Sequence, residues 1–327
     1  MRAIVMTEHG GPEVFRVREI PDPVAGTGDV LIRVRAFGLN HADTYMRNGA
    51  WRFGIPVLGI EAAGTVEHDA SGGLAPGVPV VAIVGGMART RNGSYAELVS
   101  VPATNVVPLQ TTLSWPELAA IPEVYATAWT ALHGNLALQS GQSVLIRGAT
   151  SAVGQAAVGL AVDHGATVIA TSRDATRERL LRELGANGIL IDDGELAQKV
   201  RLRHPGGVDA VLDLVGNTVL RDSLQAVRPK GRVCQIGFLG GLAPLRDFDP
   251  LADLPSGVQL STFASAFVLG DEHFPINAVP FQEIADKVRA GALRGRPARV
   301  FSFEQIVEAH RLMDSGRAGG KLVVEVG

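Results

Sequence analysis

The segment Ser143-Val-Leu-Ile-Arg-Gly-Ala-Thr-Ser-Ala-Val-Gly154 constrains the fold of this 327-residue chain more than any other. A short apolar strand runs into small residues and then into an Ala-rich helical pattern from Gln155 to His164. Small side chains at Gly148, Ala149, Ser151, Ala152 and Gly154 would let the oxygens of a pyrophosphate approach the backbone. The N–H groups and positive dipole end of the following helix would then meet the anion. The spacing is Ala149-x-Ser151-x-x-Gly154, where the usual dinucleotide fingerprint has three glycines, so by itself it fits a helix packed closely on a strand equally well.

Its surroundings decide between these. A second strand, Thr167–Thr171, precedes a helical pattern from about Asp174 to Leu184, which Gly185 closes at the left-handed position; Asp174 reads as its N-cap. Gly188–Ile191, Val208–Val215 and Gly231–Gly237 read as further buried strands, with a helix from about Asn217 to Val227 between the last two. Strands alternating with helices predict a parallel, doubly wound α/β sheet whose ligand sits at the carboxyl ends of the strands. The first 120 or so residues differ in kind. Short strands such as Val30–Ala36 and Gly64–Glu67 alternate with Gly/Pro turns, which predicts an open barrel or rolled sheet. At the chain end, Ser302 and Gln305 form a capping-box start for a helix from about Phe303 to Ser315, ended by Gly316. The strand Lys321–Val326 that follows has no place in the parallel sheet by pattern alone.

Composition excludes several classes. With 46% hydrophobic and 19% charged residues the chain is neither disordered nor fibrous. A net charge of −3 with scattered Lys and Arg offers no basic face for nucleic acid and no polybasic membrane anchor. The amino terminus lacks a signal-peptide core and no apolar run is long enough to span a bilayer, so a cytoplasmic location is expected. The single cysteine, Cys234, lies in a predicted buried strand and reads as an inert core thiol; it allows no intramolecular disulfide and no multi-cysteine zinc site.

Five ordered motifs carry a resemblance that runs nearly end to end. They are Ala36-Phe-Gly-Leu-Asn-His-Ala-Asp-Thr-Tyr-Met-Arg-Asn-Gly49, Pro56-Val-Leu-Gly-Ile-Glu-Ala-Ala-Gly64, Gly93-Ser-Tyr-Ala-Glu97, the Ala149–Gly154 turn and Glu308-Ala-His-Arg-Leu-Met-Asp-Ser-Gly-Arg-Ala-Gly-Gly-Lys321. Together they resemble the medium-chain dehydrogenase/reductase superfamily, and within it the zinc-independent quinone oxidoreductases related to zeta-crystallin. The resemblance implies a GroES-like β-rich catalytic domain, 1–124 with 265–327, interrupted by a Rossmann-type NADPH-binding domain, 125–264, with the active site in the cleft between them. It also implies a homodimer.

Where zinc-bearing relatives have a Cys and a His, this chain has Asn40 and Ile60, and the four-cysteine lobe is absent. His41 and Asp43 lie two apart without an evident third ligand; His41 reads as a cleft-wall residue, and His133, His164 and His204 as surface or helix-end residues. Without a metal or an evident Tyr/Lys base pair, ionising an alcohol of pKa about 16 is hard, whereas an activated double bond is already electrophilic. The implied reaction is therefore hydride transfer from NADPH to a quinone or α,β-unsaturated carbonyl.

The resemblance assigns Asn40, Tyr45 and Thr127 to catalysis, with Asn40 contacting the nicotinamide or the substrate, Thr127 near the nicotinamide and Tyr45 donating a hydrogen bond or proton. Asp43 and Arg47 belong to the same wall, or else form a buried ion pair that fixes the loop. Thr127 could equally be a helix-interior residue bonded to its own backbone, and Lys321 either a cofactor contact or a solvated lysine at a strand start. Ala149, Ser151, Ala152, Val153, Gly154, Val215, Ile236, Gly237 and Phe238 complete the expected cofactor contacts. Thr171-Ser172-Arg173, followed by Arg177, stands where an NAD enzyme would present Asp or Glu; positive charge there suits the 2′-phosphate of NADPH. Relatives often carry Tyr where this chain has Asp192, which leaves one adenosine-side contact missing or changed. Trp51, Trp129, Phe238, Phe263 and Phe267 would line an apolar slot or serve as core. An NADPH-binding structural or regulatory protein of the zeta-crystallin type, with little turnover, is the alternative function.

Overall fold

A computed structural model describes residues 1–327 and separates them into two units, Met1–Ala126 with Ala266–Gly327, and Thr127–Ser265. In the first, Arg2–Met6 (β1) pairs antiparallel with Phe15–Glu19 (β2). A rolled, mostly antiparallel sheet is built around Asp29–Gly38 (β3), which pairs with both Glu61–Asp69 (β4) and Leu98–Pro102 (β6). Pro79–Ile83 (β5) and Val106–Pro108 (β7) extend it beyond β4. Along β3 the side chains of Val30, Ile32, Val34 and Ala36 are buried while Leu31, Arg33 and Arg35 between them are not fully so, the period-two alternation of a strand with one covered face.

The second unit holds six parallel strands, Ser143–Arg147 (β8), Thr167–Ser172 (β9), Gly188–Ile191 (β10), Val208–Asp213 (β11), Val227–Gln235 (β12) and Gln259–Thr262 (β13). Their order is β10-β9-β8-β11-β12-β13. The chain thus moves outward from β8 to β10, then returns to the other side of β8 for β11, and the reversal falls between β8 and β11. Such a switch point leaves a crevice at the strands' carboxyl ends, where this fold places dinucleotides. Leu145, Ile169, Val211, Leu224 and Val233 are among the buried residues that fill the core of this unit.

Several local boundaries differ from the pattern. The helix expected from Gln155 starts at Ala152, because the Ser151 hydroxyl accepts the Gly154 N–H at 3.1 Å and caps it. The expected strand Val208–Val215 stops at Asp213, whose Oδ1 accepts the N–H groups of Val215 and Gly216 at 2.8 Å each and turns the chain. The expected helix after Asp174 opens as a 3₁₀ turn, Ala175–Arg177, before the α-helix Glu178–Glu183; Asp174 caps it by accepting the Thr176 N–H at 2.9 Å. Strand β12 begins at Val227 rather than Gly231, and the helix before it spans only Leu220–Ala226. The sixth strand, β13, lacks the apolar run that marks the others and was not expected from the pattern.

At the chain end, Gln305 Oε1 accepts the Ser302 N–H at 2.9 Å, as the capping box requires, and the helix Ile306–Asp314 follows. Arg299–Ser302 (β14) and Leu322–Glu325 (β15) join the sheet of the first unit, β15 running antiparallel to β3. This pairing locates the strand that periodicity could not. No helix is long and apolar enough to cross a membrane.

Candidate active site and cofactor edge

At the carboxyl edge of the parallel sheet the expected cofactor residues gather strand by strand. Ala149, Ser151, Ala152, Val153 and Gly154 form the turn after β8; Ser172 and Arg173 end β9; Val215 follows β11, and Ile236, Gly237 and Phe238 follow β12. The turn and the helix it feeds approach each other so closely that a Cβ added at Gly154 would lie 2.4 Å from the Gly148 carbonyl oxygen and 2.7 Å from the Ala149 Cα. Only hydrogen fits there, which is the close-packing role of the third fingerprint glycine. The turn is further tied to β9, since Thr171 Oγ1 accepts the Gly148 N–H at 3.1 Å. Ser172 is spent locally: its hydroxyl donates to the Asp174 carbonyl and accepts the Asp174 N–H. Arg173 is exposed and engaged in no ion pair, while Arg177 is half-buried. These residues fit a dinucleotide with an additional phosphate near the end of β9.

Asp192 has a specific partner. Arg147, fully buried at the end of β8, donates from Nε and from one terminal nitrogen to the two Asp192 oxygens at 2.8 and 2.9 Å. Its other terminal nitrogen reaches Asp222, Ser223 Oγ and the Val219 carbonyl. Burial pulls the Arg147 pKa down, yet the hydrogen bond and charge of Asp192, with Asp222 and Asp213, carry it above the ordinary arginine value. The acidic residue at 192 therefore braces a buried arginine directly beneath the phosphate turn.

In the first unit a buried polar cluster surrounds the amino end of the helix His41–Arg47. Lys321, with 6% of its surface exposed, places Nζ 2.5 Å from Glu61 Oε1 and donates to Asn40 Oδ1 at 2.6 Å. Asn40 Nδ2 in turn donates to Glu61 Oε1 at 2.9 Å, and Glu61 Oε2 accepts the Glu123 N–H at 2.8 Å. Gly38 makes this possible, for a Cβ there would lie 2.4 Å from both Glu61 Oε1 and Lys321 Cε. The view of Lys321 as a solvated lysine is thereby corrected: the β15–β3 pairing draws it inward onto a buried carboxylate.

Asp43 and Arg47 do not pair with each other, contrary to the ion-pair expectation. Asp43 points back along the helix, where its oxygens accept the Asn40 and Gly59 N–H groups at 2.9 and 3.1 Å. Arg47, one turn on, reaches the opposite way to Asp314 at 2.8 Å, the Gly10 carbonyl and His310 Nδ1 at 3.1 Å. Arginine can only donate, so His310 Nδ1 must accept and the ring proton sits on Nε2, 3.0 Å from the Tyr95 hydroxyl. One Arg47 N–H and the His310 Nε2–H thus point along a line that ends at the Tyr95 hydroxyl. Burial, with Asp43 nearby, raises the Tyr95 pKa. Burial lifts the Asp43 carboxyl to about 7, opposed by the Asn40 N–H, the Lys321 charge and the Gly59 N–H. Burial and the Arg47 charge hold His310 down at about 3. Tyr95 and His310 stood inside recognised motifs, but nothing in their spacing shows that Tyr95, 215 positions before His310, meets it.

Tyr45 is half-buried, which raises its pKa, and its ring lies 5.0 Å from that of Trp51. Trp51 meets Phe267 at 4.7 Å, so two of the five aromatic residues expected in an apolar slot do come together. Phe263 is 2% exposed in the core of the other unit, and the Trp129 ring lies tilted against His133 with centroids 5.1 Å apart. Thr127 is buried on the helix Pro122–Trp129. Cys234 is fully buried, and burial pushes its thiol up to about 11, as an inert core thiol requires.

A catalytic zinc does not fit these residues. The oxygens of Asn40 and Glu61 are already turned onto the Lys321 ammonium, His41 is exposed while Asp43 is buried among N–H donors, and no three His, Cys, Asp or Glu side chains gather as a metal-holding group.

Comparison with known proteins returns the same architecture. Residues 26–111 match the alcohol dehydrogenase GroES-like domain family, and residues 184–324 the family described as zinc-binding dehydrogenase. The chain is 30% identical to a 2-haloacrylate reductase of Burkholderia sp, covering 98% of each sequence, and 28% identical to the quinone oxidoreductase of Mus musculus, covering 99% of this chain and 98% of that one. A mycobacterial protein solved in complex with NADPH superimposes with a TM-score of 0.87 at 27% identity, covering 99% of this chain and 100% of the other.

Proposed function

Because the chain belongs to the zeta-crystallin-like quinone oxidoreductase branch of the medium-chain dehydrogenase/reductase superfamily, we propose that it is an NADPH-dependent, metal-independent reductase of quinones or α,β-unsaturated carbonyls. The observation that carries this reading is the Lys321 ammonium seated on Asn40 and Glu61. A fixed positive charge occupies the polar cluster, but an ammonium offers no vacant coordination site on which to acidify an alcohol. A double bond conjugated to a carbonyl needs no such acidification.

When bound, NADPH supplies a hydride. The N–H groups of the turn after β8, which Gly154 lets pack closely on its helix, would hold its pyrophosphate, and Arg173 with Arg177 would hold the 2′-phosphate. On the acceptor, a new C–H bond forms at the β-carbon while the electron pair of the double bond moves onto the carbonyl oxygen. Tyr45 donates a hydrogen bond to that oxyanion, and a proton taken up at the α-carbon completes the reduction. Asn40 is held by Lys321 and Glu61 on its side chain and by Asp43 on its N–H, so its amide keeps one orientation through the reaction. Thr127 completes the set of proposed catalytic residues.

The test is NADPH oxidation across a panel of quinones and enones, before and after exhaustive treatment with EDTA. Turnover that survives chelation supports the reading. Activity lost to EDTA and restored by zinc refutes metal independence, and NADPH binding without turnover on any acceptor moves the chain to the binding-protein alternative.

A further inference from the structure

Arg89 stands on a loop whose backbone is held in an unfavourable conformation. Val84 and Ala88, neither of them glycine, have φ of 50° and 59°, and Gly85 and Gly86 between them are also left-handed. Packing enforces this geometry, since Val84, Met87 and Ala88 are at most 1% exposed. Non-glycine residues keep such angles only where their surroundings over-determine them, and the arrangement fixes the direction in which Arg89 leaves the loop.

The guanidinium is under-satisfied. One terminal nitrogen donates to the Phe267 carbonyl at 2.9 Å, and Cζ lies 5.7 Å from the centre of the Phe267 ring. Nε is shielded from solvent and has no hydrogen-bond partner. No carboxylate forms an ion pair with Arg89; burial lowers its pKa, and Asp271 is the charge that acts in the opposite direction. A half-buried cation with a shielded, unpartnered N–H and no anion is costly, and guanidinium is the side chain best shaped to take a carboxylate through two parallel N–H bonds. Phe267 continues the feature: its ring meets Trp51 at 4.7 Å and Phe53 at 6.0 Å, and Trp51 meets Tyr45 at 5.0 Å. A run of aromatic faces therefore joins the under-satisfied cation to the tyrosine assigned to the reacting oxygen.

We propose that Arg89 is a specificity-determining residue that binds the carboxylate of an anionic acceptor, whose apolar body lies along Phe267 and Trp51 with its double bond at Tyr45. This rests on the reductase reading above and narrows it from enones in general to carboxylate-bearing ones.

The probes are 4-(3-oxobut-1-enyl)benzoate, an enone whose carboxylate lies across a phenyl ring from the double bond, and its methyl ester, each reduced by the parent protein and by Arg89→Met at saturating NADPH. The expected result is a kcat/KM for the acid that falls at least tenfold in Arg89→Met, while the ester stays within threefold; Arg89→Lys should recover part of the loss. Equal changes for acid and ester, or no change for either, overturn the proposal and leave Arg89 as a brace between its loop and Phe267. Should the parent reduce neither compound, the reductase reading is in question, and binding decides about Arg89 separately. Binding of the acid in equilibrium dialysis, weakened at least tenfold in Arg89→Met and weak for the ester, supports the carboxylate site; identical binding in parent and variant overturns it.

Discussion

Replacing Lys321 with Met probes the one interaction on which the metal-free reading turns. The ammonium is 6% exposed and Glu61 is fully buried, so the substitution leaves a carboxylate in the interior with only the Asn40 amide and the Glu123 N–H as donors. Removing one partner of a buried ion pair costs about 3–5 kcal/mol, because the remaining charge loses its compensation without regaining water. Asn40 Oδ1 loses its donor as well, but the two effects share a partner and do not add. Urea denaturation of parent, Lys321→Met, Glu61→Gln and the double variant measures this directly. The double variant removes both charges, so it should recover roughly 2 kcal/mol or more relative to the sum of the single losses. A cost for Lys321→Met below about 1 kcal/mol, the range of exposed pairs, with no coupling to Glu61, would falsify the buried pair. Kinetics separate positioning from cofactor contact: if Lys321 acts by holding Asn40, kcat falls in Lys321→Met while the Kd for NADPH stays near that of the parent. The opposite split assigns Lys321 to the cofactor.

Arg173→Ala should weaken NADPH binding by about 10- to 100-fold, the scale of a charge-assisted hydrogen bond, and leave NADH nearly untouched; equal losses in fluorescence titrations of the two cofactors would make Arg173 structural. Tyr45→Phe should lower kcat for an enone more than for a quinone, since an enolate is more basic than a hydroquinone anion and needs proton donation more; parent-like rates on both remove Tyr45 from the chemistry. Stability should respond to pH through two buried groups of opposite sign. Asp43, raised from 3.8 to about 7, keeps a proton that the unfolded chain has already released, so its contribution declines as pH climbs through that window. His310, lowered from 6.5 to about 3, contributes stability above pH 6.5 that is lost as pH falls toward 3. Asp43→Asn removes the first term alone, so its unfolding midpoint in urea should rise more steeply than the parent's between pH 4 and 6.5; parallel profiles would show that Asp43 does not titrate there.

The parallel sheet was legible in the sequence because its signals are local. Apolar runs of strand length, small residues at Gly148–Gly154 and left-handed Gly185 each report a conformation set within a few residues. Boundaries went astray where a side chain captured the backbone, as at Ser151 and Asp213, whose hydrogen bonds start a helix early and stop a strand short. Strand β13 was missed for a related reason: its residues are only partly buried or exposed, and an edge strand need not carry an apolar run. The polar cluster is the harder case. Asn40, Asp43, Arg47 and Lys321 were marked out by the resemblance, but their partners come from elsewhere: Glu61 from β4, Tyr95 from the segment before β6, and His310 and Asp314 from the chain-end helix next to the strand that returns to β3. Pairing across such separations is a property of topology, and composition and spacing do not contain it.

The same topology accounts for how the buried polar cluster around Asn40 is organised. Zinc would orient its ligands and hold charge in one step. In the metal-independent site proposed above those tasks would be divided: Lys321 pairs with Glu61 and holds the Asn40 side chain, while Asp43 accepts the Asn40 N–H and the Arg47–His310–Tyr95 hydrogen bonds tie the chain-end helix to the same region. Asn40 is the residue that both Lys321 and Asp43 hold. The chain-end helix and β15 supply Asp314, His310 and Lys321, so the orientation of a residue near position 40 depends on strand pairing some 280 positions away. It follows that substitutions in the Glu308–Lys321 segment that break the β15–β3 pairing act on Asn40 even where they touch neither the acceptor nor the cofactor, and that His310→Ala, which removes the link between Arg47 and Tyr95 together with a ring packed on Phe15, should reduce turnover while leaving the Lys321–Glu61 pair in place.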